Sequence, residues 1–323
     1  MYTPRKRTCA ARALKAALCA LLSLCALPLF AQQEPAFAHY WELEPQFNPA
    51  AAGRDDRLNI MAAVQTHASG FDDAGSTMYA GADAALQLGR TRHGIGAAFM
   101  NDAIGIFSHK RFSLLYSYHF RLWGGRLSVG GAVDMLSESI DGSKADLADA
   151  NDPAFPSGEV SGAKFDASFG LYYARGPISV GLACQHALAP TVLLGETNEI
   201  SVKRVYNFTA AYNIPTKNPF FKVVPSAMLR YDGADVRGDF TARLVYDREG
   251  KRRLYAGLGY SPLHSVTGFV GGSFHGIDLG YSYEASTEGL GLNAGFHEIT
   301  VGYRLDLNFG RRGRNAHRSV RWL

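Results

Sequence analysis

The sequence predicts an all-β protein, a closed antiparallel transmembrane β-barrel of the outer-membrane type with about fourteen strands. Three observations carry this. The chain alternates apolar and polar residues with a period of two, most cleanly from Ile299 to Phe309, where every odd position is large and apolar and every even one is small, polar or charged. Successive strand side chains point to opposite faces, so each such segment has one apolar and one polar face. The connections between these segments alternate between short and long. A secretory leader precedes them all.

The leader is residues 1–31. Arg5, Lys6, Arg7, Arg12 and Lys15 precede an apolar run from Ala16 to Leu29, and Pro28 and Ala31 place cleavage before Gln32. Cys9, Cys19 and Cys25 leave with it. Leu precedes both Cys19 and Cys25 where lipid attachment requires a small residue, so neither is read as a lipid anchor. Cys184 alone remains, on an apolar strand face, and the mature chain has no internal disulfide. Residues 32–56 lack periodicity. Pro35, Pro45 and Pro49 make them an extended or turning periplasmic segment.

The barrel occupies 57–309. Strands are expected near 57–68, 77–88, 94–103, 109–121, 126–136, 163–174, 177–187, 201–213, 220–231, 238–247, 251–261, 265–274, 277–285 and 297–309. In the fourth, Phe112, Leu114, Tyr116, Tyr118 and Phe120 oppose Arg111, Ser113, Ser117, His119 and Arg121. Connections after even-numbered strands are short, among them Trp123-Gly124-Gly125 and His275-Gly276. Several after odd-numbered strands are long: 137–162, 188–200 and 286–296. Short periplasmic turns and longer outer loops are the pattern of outer-membrane barrels. A soluble β-sandwich also predicts alternation, but with shorter strands and polar outward faces. Residues 310–323 form a basic tail.

Mean hydropathy of −0.09 argues against a bundle of membrane helices, and 16 Tyr and 19 Phe suit strands. The net charge of +4 misleads. Leader and tail hold ten of the 33 basic residues and none of the 29 acidic ones, so the body is acidic and carries no basic stripe for nucleic acid.

No enzyme motif is present: no Gly-x-Ser-x-Gly elbow, no His-Glu-x-x-His helix, no phosphate loop. His119 with Ser117, and His297 beside Glu298, are read as polar lining of a hydrated lumen. The sequence therefore predicts no catalytic residue, no metal ligand and no cofactor. Asp141, Asp146, Asp149 and Asp152 do not have the spacing of a calcium-binding EF-hand, so they are read as a solvated acidic loop whose second half Pro153, Phe155 and Pro156 order. Asp141, Asp152, Pro153 and Phe155 in this loop are candidate contacts for a partner. So are Arg311, Arg312 and Arg314 in the tail.

The stretch from Pro35 through Phe37 to Tyr40, followed by Asn48-Pro49-Ala50 and Gly53, resembles the opening of the PorP/SprF family of Bacteroidetes outer-membrane proteins. Asn101-Asp102-Ala103-Ile104-Gly105, Tyr116-Ser117-Tyr118-His119, Asp152-Pro153-Ala154-Phe155, Gly170-Leu171-Tyr172-Tyr173, Gly280-Tyr281-Ser282-Tyr283 and His297-Glu298-Ile299 follow in the family's order, over about 33–309. The basic tail departs from the family pattern. The resemblance implies a non-enzymatic component of the type IX secretion system, linked to secretion, gliding or surface attachment. It further implies partners among secretion subunits or exported proteins with C-terminal sorting domains, besides outer-membrane lipid. Strand parity places both termini in the periplasm. A diffusion channel is the alternative, because fourteen strands enclose a wider space than the eight-stranded barrels that side chains fill.

Overall fold

The computed structural model describes residues 35–67, 75–144, 156, 158–195, 198–248, 252–287 and 295–306. Its strands are β1 (Arg57–Thr66), β2 (Ser76–Leu88), β3 (Thr91–Ile104), β4 (Phe107–Leu122), β5 (Gly125–Asp141), β6 (Glu159–Arg175), β7 (Ile178–Gln185), β8 (Thr191–Leu194), β9 (Asn198–Ser201), β10 (Val205–Tyr212), β11 (Ile214–Pro215), β12 (Phe221–Tyr231), β13 (Val236–Arg248), β14 (Arg252–Ser261), β15 (Ser265–Phe274), β16 (Ile277–Ser286) and β17 (Phe296–Asp306).

All strands but β8, β9 and the two-residue β11 form one closed ring of fourteen in which chain neighbours pair antiparallel. Two seams complete it. β1 pairs with β17 from Arg57↔Asp306 to Thr66↔His297, and β10 pairs with β12 from Tyr206↔Tyr231 to Ala211↔Ser226. Closure leaves no unpaired edge, which a bilayer requires. Among the described residues, no helix is long and apolar enough to cross a membrane.

Parity sets the two faces. On β4, Phe112, Leu114, Tyr116 and Tyr118 are exposed on the outside, while Arg111, Ser113, Ser117 and His119 are buried inside. On β17 Ile299, Val301 and Tyr303 face out, and Glu298 and Thr300 face in. The ring thus carries an apolar outer belt suited to lipid. The connections after even-numbered members of the fourteen-strand ring are tight. Trp123-Gly124 and His275-Gly276 each take positive φ at both central positions, the mirror-image turn that matches strand twist in a two-residue hairpin. Arg57 and Asp306, the first and last described barrel residues, lie at this short-turn end.

Three regions depart from expectation. β5 and β6 are 17 residues each and stay paired out to Asp141↔Glu159, beyond the segments the alternation marked. The strand expected at 201–213 starts only at Val205. The connection read as the loop 188–200 contains the hairpin β8–β9, whose Val192 and Leu194 are buried. β8 packs against β5 and β6, so the hairpin folds onto the tall side of the barrel.

Candidate functional site

The distinctive feature lies inside the ring. Residues 35–56, expected from the sequence to be an extended or turning periplasmic segment, pack within the barrel. Phe37, His39, Tyr40, Leu43, Phe47, Ala50, Ala51 and Ala52 are all buried. The segment contains a one-turn helix, α1 (Glu44–Phe47), then a 3-10 turn over Pro49–Ala51. Proline opens or closely follows each start, where a missing N–H costs nothing. Asn48 caps the second turn, its Oδ1 accepting from the Ala50 N–H at 2.9 Å.

An irregular backbone in a lumen must find hydrogen-bond partners, and the wall supplies them from nearly every side. The Glu298 carboxylate on β17 accepts from the Ala38 N–H at 2.7 Å, the His39 N–H at 3.0 Å and His39 Nδ1 at 2.7 Å. Gln65 on β1 donates to the Ala36 carbonyl at 3.0 Å, and Arg230 on β12 to that of Pro35 at 2.9 Å. Gln185 on β7 donates to the Gln46 carbonyl, and Asn207 on β10 to that of Phe47. Asn48 Nδ2 reaches the Leu171 carbonyl on β6 at 2.9 Å. Lower down, the Gly53 N–H donates to Asp83 on β2 at 2.7 Å, and Arg92 on β3 and Arg126 on β5 both donate to the Arg54 carbonyl. The plug therefore runs from the long-loop half at Pro35 down to the short-turn end, where β1 begins.

Apolar packing completes the fit. Phe37 meets Phe47 and Tyr79 edge-on, Trp41 meets Phe269 at 5.0 Å, and Arg243 lies 3.9 Å over the Trp41 ring. Met100, Leu115, Val224, Met228 and Val245 join this cluster from the wall. The lumen expected from sequence to be polar and hydrated is, around the plug, a protein core. The Tyr40 hydroxyl reaches Ser226 at 3.0 Å and Thr241 at 3.2 Å. Burial, the largest influence on it, pushes the phenol above its ordinary range.

The wall is shaped for this occupant. A Cβ on Gly130 would collide with the backbone of Pro49 and Ala50, and one on Gly170 with the Asn48 side chain. Between the plug and the short turns a cavity of about 810 Å³ remains, lined by both plug and wall.

The residues singled out from the sequence separate sharply. Pro35, Phe37, Tyr40, Asn48, Pro49 and Gly53 all belong to the plug, and Gly53 takes φ of 64°. Glu298 anchors them, a role periodicity gave no hint of. His119 is luminal as expected: Ser117 and His119 both donate to the Ala52 carbonyl, at 2.7 and 3.1 Å, so the pair positions the plug. His297 is not luminal. It lies on the outer face, bonded to the Tyr281 hydroxyl at 2.9 Å and against the Tyr283 ring. Asp141 ends β5 at the long-loop end and accepts from the Ser143 N–H. Asp152, Pro153, Phe155, Arg311, Arg312 and Arg314 lie outside the described residues. Cys184 is half-buried on the outer wall and is not disulfide-bonded. Among the described residues no group of three or more His, Cys, Asp or Glu is placed to hold a metal ion.

Comparison with known proteins adds two findings. The family described as type IX secretion system membrane protein PorP/SprF matches residues 29–303. Among solved structures, the CymD monoaromatic hydrocarbon channel is similar at 12% identity over 81% of this chain and 92% of its own, with a TM-score of 0.51. The Ralstonia pickettii toluene transporter TbuX (13% identity, 80% and 92% coverage, TM-score 0.48) and a Pseudomonas aeruginosa FadL homologue (11%, 80% and 92%, 0.47) are also similar. At these identities the likeness concerns the fold alone. No curated protein matches the chain.

Proposed function

Because this chain belongs to the PorP/SprF family of type IX secretion system membrane proteins, we propose that it serves that system as a non-catalytic docking component of the outer membrane. In this reading the long-loop end faces outward and engages exported or surface proteins. The short-turn end faces the periplasm and secretion subunits. The observation that carries the reading is the plug. A diffusion channel needs a continuous wet path, whereas residues 35–56 pack across the lumen above the cavity and bond to strands around the ring. A filled barrel offers its ends and loops rather than a pore. The outer loops around 137–162, 188–200 and 286–296, with Asp141 at the edge of the first, are the proposed contact surface, and the basic tail is proposed to work on the periplasmic side.

The test is an affinity pull-down of the intact chain from gently solubilised outer membranes, with co-purifying proteins identified by mass spectrometry. Stoichiometric recovery of a secretion subunit, or of a large exported protein with a C-terminal sorting domain, is the expected result. Recovery of the barrel alone, together with steady ion conductance of the pure protein, overturns the docking reading in favour of a channel.

A further inference from the structure

Matched pair by pair, the cavity beneath the plug leaves three acids, Glu42, Asp55 and Asp83, and three cations, and the cations are gathered on neighbouring strands. Its acids mostly have partners: Glu44 pairs with Arg54, Asp306 with Arg57 and Asp278 with Arg304, while Asp83 accepts from Gly53 and Asn59. Three of its cations do not. Lys222 on β12, Arg243 on β13 and Arg253 on β14 line the cavity from neighbouring strands and, among the described residues, none is ion-paired. Lys222 lies opposite Val245, between the levels of Arg243 and Arg253 on the adjoining strands. Each of the three is repelled by the other two.

Such an arrangement is costly without a counter-ion. Arg243 is only 4% exposed, and its Nε and that of Arg253 are buried with no hydrogen-bond partner. A buried cation left unpaired gives up hydration that nothing else returns. The face of Trp41 under the Arg243 guanidinium offsets a part of that. Two acids act on the trio at longer range: Glu42 attracts Arg243 but already accepts from Thr300, and Asp247 attracts Lys222. Neither supplies the Arg243 or Arg253 Nε with an acceptor. The basic tail has the wrong sign to do so.

We propose that this cavity is a binding site for a ligand bearing oxyanion groups, carboxylate or phosphate, held by Lys222, Arg243 and Arg253 and entering from the short-turn end. The chemistry fits: guanidinium forks suit carboxylate and phosphate, and the ammonium adds a mobile point charge. The size fits as well, about 810 Å³ lying within the range of small-ligand sites. Asp55, Asp56, Gly176, Asn213 and Asp306 line the cavity near the short turns, so the opening lies at that end. The site does not depend on whether the barrel docks cargo.

Isothermal titration of the intact chain in detergent at low ionic strength tests it, with inorganic pyrophosphate and a short poly-glutamate peptide as separate probes. Saturable binding of at least one is expected. Lys222→Gln combined with Arg253→Gln should weaken it about tenfold or more, the loss of charge-assisted hydrogen bonds, while Arg90→Gln, on the exposed β2–β3 turn, should leave it unchanged. Binding of pyrophosphate alone assigns the site to phosphate anions, and binding of the peptide alone to carboxylates of a polypeptide. No saturable binding of either, or binding indifferent to the double replacement, overturns the proposal. Because the double replacement removes like charges, it should melt no lower than the parent, so a lost signal is not a lost fold.

Discussion

At the residue scale the plug hangs on a few buried polar atoms, and Glu298 is the chief of them. Its carboxylate takes three donors from Ala38 and His39. Glu298→Ala would leave two backbone N–H groups and a ring nitrogen without their acceptor. Removal of one partner from such a site costs about 3–5 kcal/mol, and urea unfolding of the variant in detergent should show a loss of that order. Tyr40 gives a pH signature. Its phenol is held above the ordinary value, so the native state binds the proton more tightly than the unfolded chain. That contribution is fully present below the unfolded value of about 10 and is lost as pH rises from there through the raised folded value. Tyr40→Phe loses the contacts to Ser226 and Thr241, a cost of about 1 kcal/mol. The stability of the variant should change less between about pH 8 and pH 11 than that of the parent, as read from unfolding midpoints. Part of this scale was legible in the sequence. The alternation on β4 placed His119 inside, whereas His297 was misread as luminal lining although the parity that sends Ile299 outward sends it outward too. The partnership of Glu298 with residues some 260 positions earlier was not, because no periodicity links them.

At the element scale the strands were legible and the plug was not, for one physical reason. A strand with one face in lipid must repeat its chemistry every second residue, so the period alone located all fourteen barrel strands. Residues 35–56 bury themselves by separate, aperiodic contacts, each fitted to a different strand. The available signal was composition: Phe37, Tyr40, Trp41 and Phe47 are too aromatic for a solvated leader into a barrel. The hairpin β8–β9 was missed because strands of four residues are too short to show a period. The wall glycines gain their meaning only with the plug in place. Gly130→Val forces a side chain into the space of Pro49 and Ala50, so hydrogen exchange should rise across 46–53 while the barrel amides stay protected. Removal of residues 35–52 should go further. The truncated barrel in a planar bilayer should conduct where the intact chain does not, and a synthetic peptide of the same residues should close it again. Equal conductance with and without the segment would mean that the plug does not seal the lumen.

At the scale of the whole molecule, the two ends of the barrel are chemically different, and that difference makes orientation testable. The short-turn end gathers the start of β1, the end of β17 and the charged cavity. The opposite end carries the tall β5–β6 wall with its folded-over hairpin. Outer-membrane barrels carry short turns on the periplasmic side and longer loops outside, so the proposed orientation puts the tight Trp123-Gly124 and His275-Gly276 turns in the periplasm. Trp123 and Leu188 are both strongly exposed, at 78% and 63%, and sit at opposite ends. In a Cys184→Ser background, Leu188→Cys should react with a membrane-impermeant maleimide on intact cells, and Trp123→Cys should react only after the outer membrane is permeabilised. The native Cys184, half-buried on the outer wall, should resist the impermeant reagent in both conditions and yield to an apolar one. The reverse labelling pattern for Leu188→Cys and Trp123→Cys would invert the barrel and place the cavity at the cell surface. Its anionic ligand would then have to come from outside the cell, so the labelling experiment decides which compartment supplies it.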